Sequence, residues 1–326
     1  MQLAITDLIS QPNAGLTLSD SNRLSVWYHA LRPFSYSASI VPVLVGSVVA
    51  WKDSGQFNWV LFLATLCGSV LIHAGTNLGN EYFDYTQGVD RADSLGPTGV
   101  ILEGKLKPEQ VLRAAILAFL FGAILGMYIV FRVGFVILAL GLASILAAWF
   151  YTAKPVCLGY RGLGELEVFI FMGPVMVMAS YYVQTRSFGW VPLLASLPVG
   201  FLVTAILHAN NIRDVVQDTE RNRITWAVLA ARLWGMKRGR NFSRWVYYGM
   251  ILGAYVTVVG LVASGVAPIF TLLVFLTVPQ AYSLIRFLAS GVEGKPLSRV
   301  VRGTAFLHMS FGAMFTLGYL LSILRH

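Results

Sequence analysis

Nine apolar runs of about 20 residues fill most of this chain, and they limit its fold more than any other feature. A helix crossing a ~30 Å hydrocarbon core needs about 20 apolar residues, and only helices or closed barrels satisfy their own backbone there. The runs cover 35–51, 57–80, 109–131, 133–152, 164–184, 190–210, 244–263, 265–285 and 303–323. Only 12% of the residues are charged and the mean hydropathy is +0.68, whereas soluble domains carry about 25% charged residues. The predicted fold is an all-α, multi-pass transmembrane bundle of nine helices around a central cavity. Residues 35–326 form one transmembrane domain, and 1–34 an N-terminal lead.

The lead carries Asp7 and Asp20, without a basic segment or an uninterrupted apolar core, so it does not read as a cleaved signal. An interfacial helix is expected around Leu24–Leu31. Cys67 lies in a predicted span and Cys157 in a loop. Neither has metal-ligand spacing, and two distant cysteines do not make a disulfide framework.

The net charge of +9 admits nucleic acid as a partner until its distribution is followed. With nine spans, Lys52, Arg132, Arg186 and Arg325 fall on one side, and the other twenty of the 24 Lys and Arg on the side of the N-terminus. The positive-inside rule places that side in the cytoplasm and the C-terminus outside. The expected partner is the lipid bilayer, with no nucleic acid. The basic stretch RLWGMKRGRNFSR, 232–244, either touches anionic headgroups or serves only as the topology signal.

The acids are as lopsided. Six lie between Glu81 and Glu109, after the second run, and Asp214, Asp218 and Glu220 follow the sixth. Both clusters fall on the cytoplasmic side and both begin with asparagines, in NLGNEYFDYTQGVD (77–90) and NNIRDVVQDTERNR (210–223). Asn80 and Asp84 are spaced i, i+4, as are Asn210 and Asp214, and Asp214 and Asp218. Asn77 joins the first face, and Asn211 and Asp218 repeat a seven-residue step. On helices these side chains share faces. A lone acidic helix end is ordinarily solvated, but two matched clusters at span ends are not an ordinary pattern. Stacked carboxylates repel unless a cation neutralises them, and Mg2+ takes one or two carboxylates, keeps waters and completes its shell with phosphate oxygens. Two such faces opposed across a cavity would hold a diphosphate between two metals.

A diphosphate also needs donors. Tyr151 and Lys154 are spaced i, i+3 at the end of the fourth run. Either Lys154 reaches a phosphate, or it snorkels while Tyr151 joins an aromatic belt.

The pattern NxxxDxxxxxD at 80–90, NxxxDxxxD at 210–218 and YxxK at 151–154 resembles the UbiA-type superfamily of intramembrane aromatic prenyltransferases. The likeness runs from Arg32-Pro33 to the last span. RPFSYSASIVPVLVG (32–46), GYRGLGELEVFIFMGPVMV (159–177) and HANNIRDVVQD (208–218) most resemble the 1,4-dihydroxy-2-naphthoate polyprenyltransferases. Two loops depart from the family pattern. Ile224 follows Arg223 where a second basic residue is common, and LGPTGVILEGKLKP after the first motif offers Lys105 as its nearest cation.

The resemblance implies a transferase in a bacterial cytoplasmic membrane, serving menaquinone or phylloquinone biosynthesis. Its metal ligands would be Asn80, Asp84, Asp90, Asn210, Asp214 and Asp218, with Asp84, Asp90, Asp214 and Asp218 catalytic. These would hold two Mg2+ bridging the diphosphate of an isoprenyl diphosphate. Asn77, Asn80, Asn210, Asn211, Tyr151, Lys154, Arg213 and Arg223 would bind substrate. A dihydroxynaphthoate ring would attack the allyl cation and lose CO2. Arg32 either meets the acceptor carboxylate or snorkels, and His73 and His208 read as packing histidines. Two alternatives are another acceptor such as 4-hydroxybenzoate, and a cation-coupled secondary transporter. Transporters place such acids near the bilayer midplane, whereas these lie at helix ends.

Overall fold

The computed structural model describes residues 20–88, 95 and 99–325. Residues 1–19, most of the N-terminal lead, lie outside the described residues, and so does Asp90. Helix α1 (Asp20–Leu31) precedes α2 (Ser37–Ser54), α3 (Trp59–Thr86), α4 (Pro108–Val133) and α5 (Phe135–Phe150). The fifth apolar run becomes α6 (Gly164–Ile170), a π turn (Phe171–Val175) and α7 (Met176–Thr185). Then come α8 (Trp190–Glu220), a short α9 (Trp226–Trp234), α10 (Met236–Ala263), a 3-10 stretch (Ile269–Thr277) running into α11 (Val278–Ala289), and α12 (Ser298–Leu324).

Local chemistry sets several of these boundaries. The Asn58 side chain caps α3 by accepting from the Leu61 amide at 3.1 Å, satisfying a donor that has no partner within the helix. Pro108 opens α4, where its missing N–H costs nothing. Pro174 cannot donate into the ladder, and the helix around it widens to a π turn.

Among the described residues, eight helical segments are long and apolar enough to cross a membrane. The chain is therefore an all-α, multi-pass membrane bundle. The fourth predicted run, 133–152, holds α5, whose 16 residues span roughly 24 Å. The larger difference from the sequence reading lies in length. The apolar runs end at 80 and 210, whereas α3 continues to Thr86 and α8 to Glu220. Both acidic motifs ride on these helical extensions. At 31 residues, α8 is roughly 45 Å long, more than the ~30 Å core requires.

Packing follows membrane rules. The outward faces of α4 and α5 carry Leu120, Phe121, Phe131, Phe135 and Leu142, all exposed, while α4 buries mainly small or β-branched residues such as Ala115, Ala118 and Gly122. The main core joins α2, α8, α10 and α12 through side chains such as Leu202, Tyr247, Phe311 and Phe315. Close backbone approach depends on glycine at two places. A Cβ on Gly46 would lie 2.2 Å from the Val177 carbonyl, and one on Gly173 would lie 2.8 Å from the Gly200 Cα. Small residues permit such contact between membrane helices.

Candidate active site

A cavity of about 1050 Å3 opens at the end of the bundle where α3 and α8 finish. It runs from Asp84 past His73 and Ile72 to Ala64, twenty residues along α3, or roughly 30 Å. Its open end is polar. Its depth is apolar, with Ile129, Ile137, Leu140, Met172 and Val183 in the wall.

The first motif is held by groups from three elements. Asn80 Oδ1 accepts from the Thr152 hydroxyl at 2.9 Å, and Thr152 O accepts from Gln87 at 3.0 Å. Asp84 accepts from the Tyr160 hydroxyl. Asn77 donates to Leu31 O at 2.9 Å and to Ser35 Oγ at 3.1 Å, which ties α3 to the end of α1 and the turn before α2. Beside it the almost fully buried Glu81 pairs with Arg32 at 3.4 Å.

The second motif has its own cations. Arg213 grips Asp214 with two bonds, Nε to Oδ1 and Nη2 to Oδ2, both 2.7 Å. Its Nη2 also donates to Asn210 Oδ1 at 2.7 Å, and Nη1 reaches Ser298 Oγ at 3.3 Å. Arg223 Nη1 lies 3.8 Å from Asp218 Oδ1, and its guanidinium stacks 4.8 Å from the Tyr160 ring centroid.

Tyr160 thus touches the first motif through its hydroxyl and the cation of the second through its ring. Backbone pairing fixes this junction. Ile224 N donates to Tyr160 O at 2.9 Å, and Gly162 N to Ile224 O at 2.8 Å. Arg223 N donates to Asp218 O at 2.9 Å. The loops after α5 and α8 therefore interlock, and the two motif ends meet in one polar cluster. Burial raises the Tyr160 phenol well above its ordinary range, and the Asp84 charge adds to this. Burial likewise raises Tyr151, opposed by Arg223 and reinforced by Glu165, Glu167 and Asp84. Both phenols stay protonated as donors. Burial works against the Arg223 charge, but Asp218 and Asp84 outweigh it and hold that proton more firmly than usual.

The cavity brings together Asn77, Asn80, Asp84, Tyr151, Asn210, Arg213, Asp214, Asp218 and Arg223 from the sequence-predicted site. Lys154 is exposed and outside the wall. Helix α5 ends at Phe150, and a residue before proline disfavours helical geometry, so Lys154 leaves the face it would share with Tyr151. Asn211 also lies outside the wall. Its amide donates to Glu165 Oε1 at 2.8 Å, where His208 Nδ1 also bonds at 3.3 Å. Asp90 falls outside the described residues.

The wall holds further cations, and all but Arg32 lay outside the motif reading. Arg32, Arg221, Lys295, Arg299 and Arg302 all line the cavity. Lys295, Arg299 and Arg302 are spaced i, i+4, i+7, a one-face pattern that could have identified them. Lys105, the loop cation singled out in the sequence, instead pairs with Glu103 at 2.5 Å.

The residues fit a hard divalent cation. Asp218 Oδ2 is buried without a hydrogen-bond partner among the described residues, and Asp84, Asp214, Asn80 and Asn210 share its cavity. Among the described residues, no three His, Cys, Asp or Glu side chains form a ready metal cluster. Mg2+ takes one or two carboxylates, keeps waters and shares its shell with phosphate.

A multi-pass helical bundle with an oxygen-rich, cation-ringed cavity mouth defines a membrane class that handles anionic, lipid-tailed substrates. Residues 39–318 match the UbiA prenyltransferase family. The chain is 32% identical over 300 residues to 1,4-dihydroxy-2-naphthoate octaprenyltransferase of Bacillus subtilis (strain 168), covering 92% of this chain and 94% of that protein. It is 33% identical over 253 residues to the protein of the same name from Mycobacterium tuberculosis (strain ATCC 25618 / H37Rv), covering 74% and 83%. A solved structure of a UbiA homolog from Archaeoglobus fulgidus bound to GPP and Mg2+ shares the fold, with a TM-score of 0.57 at 14% identity over 92% of this chain and 100% of that one. The chain belongs to the UbiA prenyltransferase family and is a membrane-embedded prenyltransferase.

Proposed function

We propose that the protein transfers an isoprenyl group from an isoprenyl diphosphate to 1,4-dihydroxy-2-naphthoate, releasing diphosphate and CO2, in menaquinone or phylloquinone biosynthesis. The observation that carries this reading is the meeting of both carboxylate motifs at the mouth of one long apolar cavity. A hydrocarbon tail fits the depth and an anionic head fits the mouth. The acceptor is supported by the relatives from B. subtilis and M. tuberculosis, both named for 1,4-dihydroxy-2-naphthoate octaprenyl transfer.

Asn80, Asp84, Asn210, Asp214 and Asp218, with Asp90, would hold Mg2+, two ions bridging the diphosphate. The homolog solved with GPP and Mg2+ supports Mg2+ together with a prenyl diphosphate as ligands. Bound Mg2+ supplies Lewis-acid stabilisation to the departing diphosphate. The chain's own groups do the rest. Arg213 and Arg223 would complement the phosphates beside Asn77, and the Tyr151 phenol, held protonated by burial, would donate. The apolar wall keeps water from the allyl cation. Lys154 and Asn211, which lie outside the cavity wall, are left out of this proposed binding set. The chain works as one transmembrane domain with α5 as the ninth span, in the cytoplasmic membrane of a bacterium with the motif end toward the cytoplasm, where twenty of the basic residues gather.

The test is competition. Purified protein receives Mg2+, an isoprenyl diphosphate and equal 1,4-dihydroxy-2-naphthoate and 4-hydroxybenzoate. Diphosphate release that requires the naphthoate and is matched by CO2 supports the proposal. Preference for 4-hydroxybenzoate overturns the acceptor, and cation flux in liposomes without turnover overturns transfer altogether.

A further inference from the structure

Among the described residues, four carboxylates line the cavity: Asp84, Asp214, Asp218 and Glu167. The first three belong to the motifs, and each faces a phenol or guanidinium of the protein. Glu167 stands apart, on α6, next to the apolar wall residues Val168, Phe171 and Met172. Its Oε2 is buried with no hydrogen-bond partner among the described residues. A carboxylate oxygen in such surroundings is expensive without a donor. Glu167 shares the cavity wall with Tyr151 and Asp84. The backbone around it is fixed. Phe169 packs on Gly200, Gly173 meets Gly200 directly, and the π turn begins four residues on, a feature frequent at functional sites.

The neighbouring wall histidine is already occupied. The Ser35 hydroxyl donates to Arg32 O at 2.8 Å, so it accepts from His73 Nε2 at 3.1 Å. Ser39 then donates to Nδ1 at 2.8 Å. Both ring nitrogens are spoken for. Among the described residues, Asp218 Oδ2 also lacks a hydrogen-bond partner, but Asp218 faces Arg223 in the motif cluster, whereas Glu167 has no such cation beside it in the apolar wall.

We propose that Glu167 is the general base for the ring hydroxyl of the aromatic acceptor, an inference that rests on the acceptor reading above. Glu167 takes the O–H proton while the ring carbon bearing the carboxylate, ortho to that hydroxyl, supplies an electron pair to the allylic carbon. The new C–C bond forms as the allylic C–O bond breaks, and the diphosphate leaves with that bond's pair. The ring is left with a ketone next to the carbon holding both prenyl group and carboxylate, a β-keto acid. The bond to CO2 then breaks, its pair flows to the ketone oxygen, and that oxygen recovers the proton from Glu167. No oxidant or reductant is needed. One carboxylate thus serves both the attack and the decarboxylation.

The experiment compares wild type, Glu167→Gln and Glu167→Ala with 1,4-dihydroxy-2-naphthoate and 4-hydroxybenzoate. Calorimetry with Mg2+ and isoprenyl diphosphate should find affinity within about twofold of wild type in both variants, while kcat falls about 10²-fold or more. Formate should restore turnover to Glu167→Ala, which a structural role would not allow. Turnover by Glu167→Gln within about threefold of wild type, or a loss in Glu167→Ala that formate leaves unchanged, overturns the assignment alone. If wild type turns over neither hydroxyarene, the acceptor reading falls and the base falls with it.

Discussion

At one end of the bundle the connections are short and their polar groups close on one another. Residues 55–58 and 186–189 join helices by four-residue turns. Asn58 N donates to Gln184 Oε1 at 2.8 Å, Arg186 donates to Arg132 O at 2.7 Å, and Tyr181 donates to Asp53 at 3.1 Å. Trp51, Phe57, Trp59 and Phe62 interlock with ring centroids 4.6 to 6.3 Å apart, as an aromatic belt does at a membrane interface. At the other end, α3 and α8 overrun their apolar segments and their carboxylates gather arginines and phenols. There the loops after α5 and α8 pair through backbone bonds. The first end is built to finish helices. The second spends helix length and buried charge on a site, and the difference locates function independently of any motif.

Four substitutions sharpen that contrast. The largest effect should come from Arg223→Gln, which removes the cation facing Asp218 and the Tyr160 ring. A charge-assisted contact of this kind contributes about 2 kcal/mol, so affinity for isoprenyl diphosphate should fall roughly 30-fold by calorimetry. Tyr160→Phe deletes only the hydroxyl that donates to Asp84. A loss of about 1 kcal/mol, roughly fivefold in kcat/KM, is expected, with the cation–π contact kept. The smallest effects on catalysis should come from outside the cavity. Lys154→Ala should leave KM for the diphosphate within about twofold. Trp59→Ala, in the belt at the far end, should lower the melting temperature by a few degrees through lost aromatic packing and leave KM unchanged.

Much of this architecture was legible in the sequence because hydrophobic length and helical spacing are local properties. Each of the nine apolar runs holds helical structure, and Asn80, Asp84, Asn210, Asp214 and Asp218 do line one cavity. What escaped depends on tertiary neighbours. Asn211 shares a helical face with Asp218 but lies seven residues, about 10 Å, deeper. There α6 packs against α8 and Glu165 takes its amide. Tyr160 sits in a loop with no period to reveal it, and only the pairing with residues 222–224 brings it to Asp84. Lys295, Arg299 and Arg302 did show a helical period, but their charge read as a topology signal because nothing local says which cavity a helix end will meet. The π turn after Glu167 has a local cause in Pro174, yet its position in the chamber wall depends on the Gly173–Gly200 contact between distant segments.

The central claim is that the two motifs act as one grip on one diphosphate. A double-mutant cycle on isoprenyl diphosphate affinity, measured by calorimetry in Mg2+ with Asp84→Asn, Asp214→Asn and the pair, tests it most directly. Each single change should weaken binding about 10²-fold, and the double variant should be little worse than either, since one half-site without the other holds no bridged ligand. Losses that simply add, or one substitution that leaves affinity untouched, would contradict a shared site.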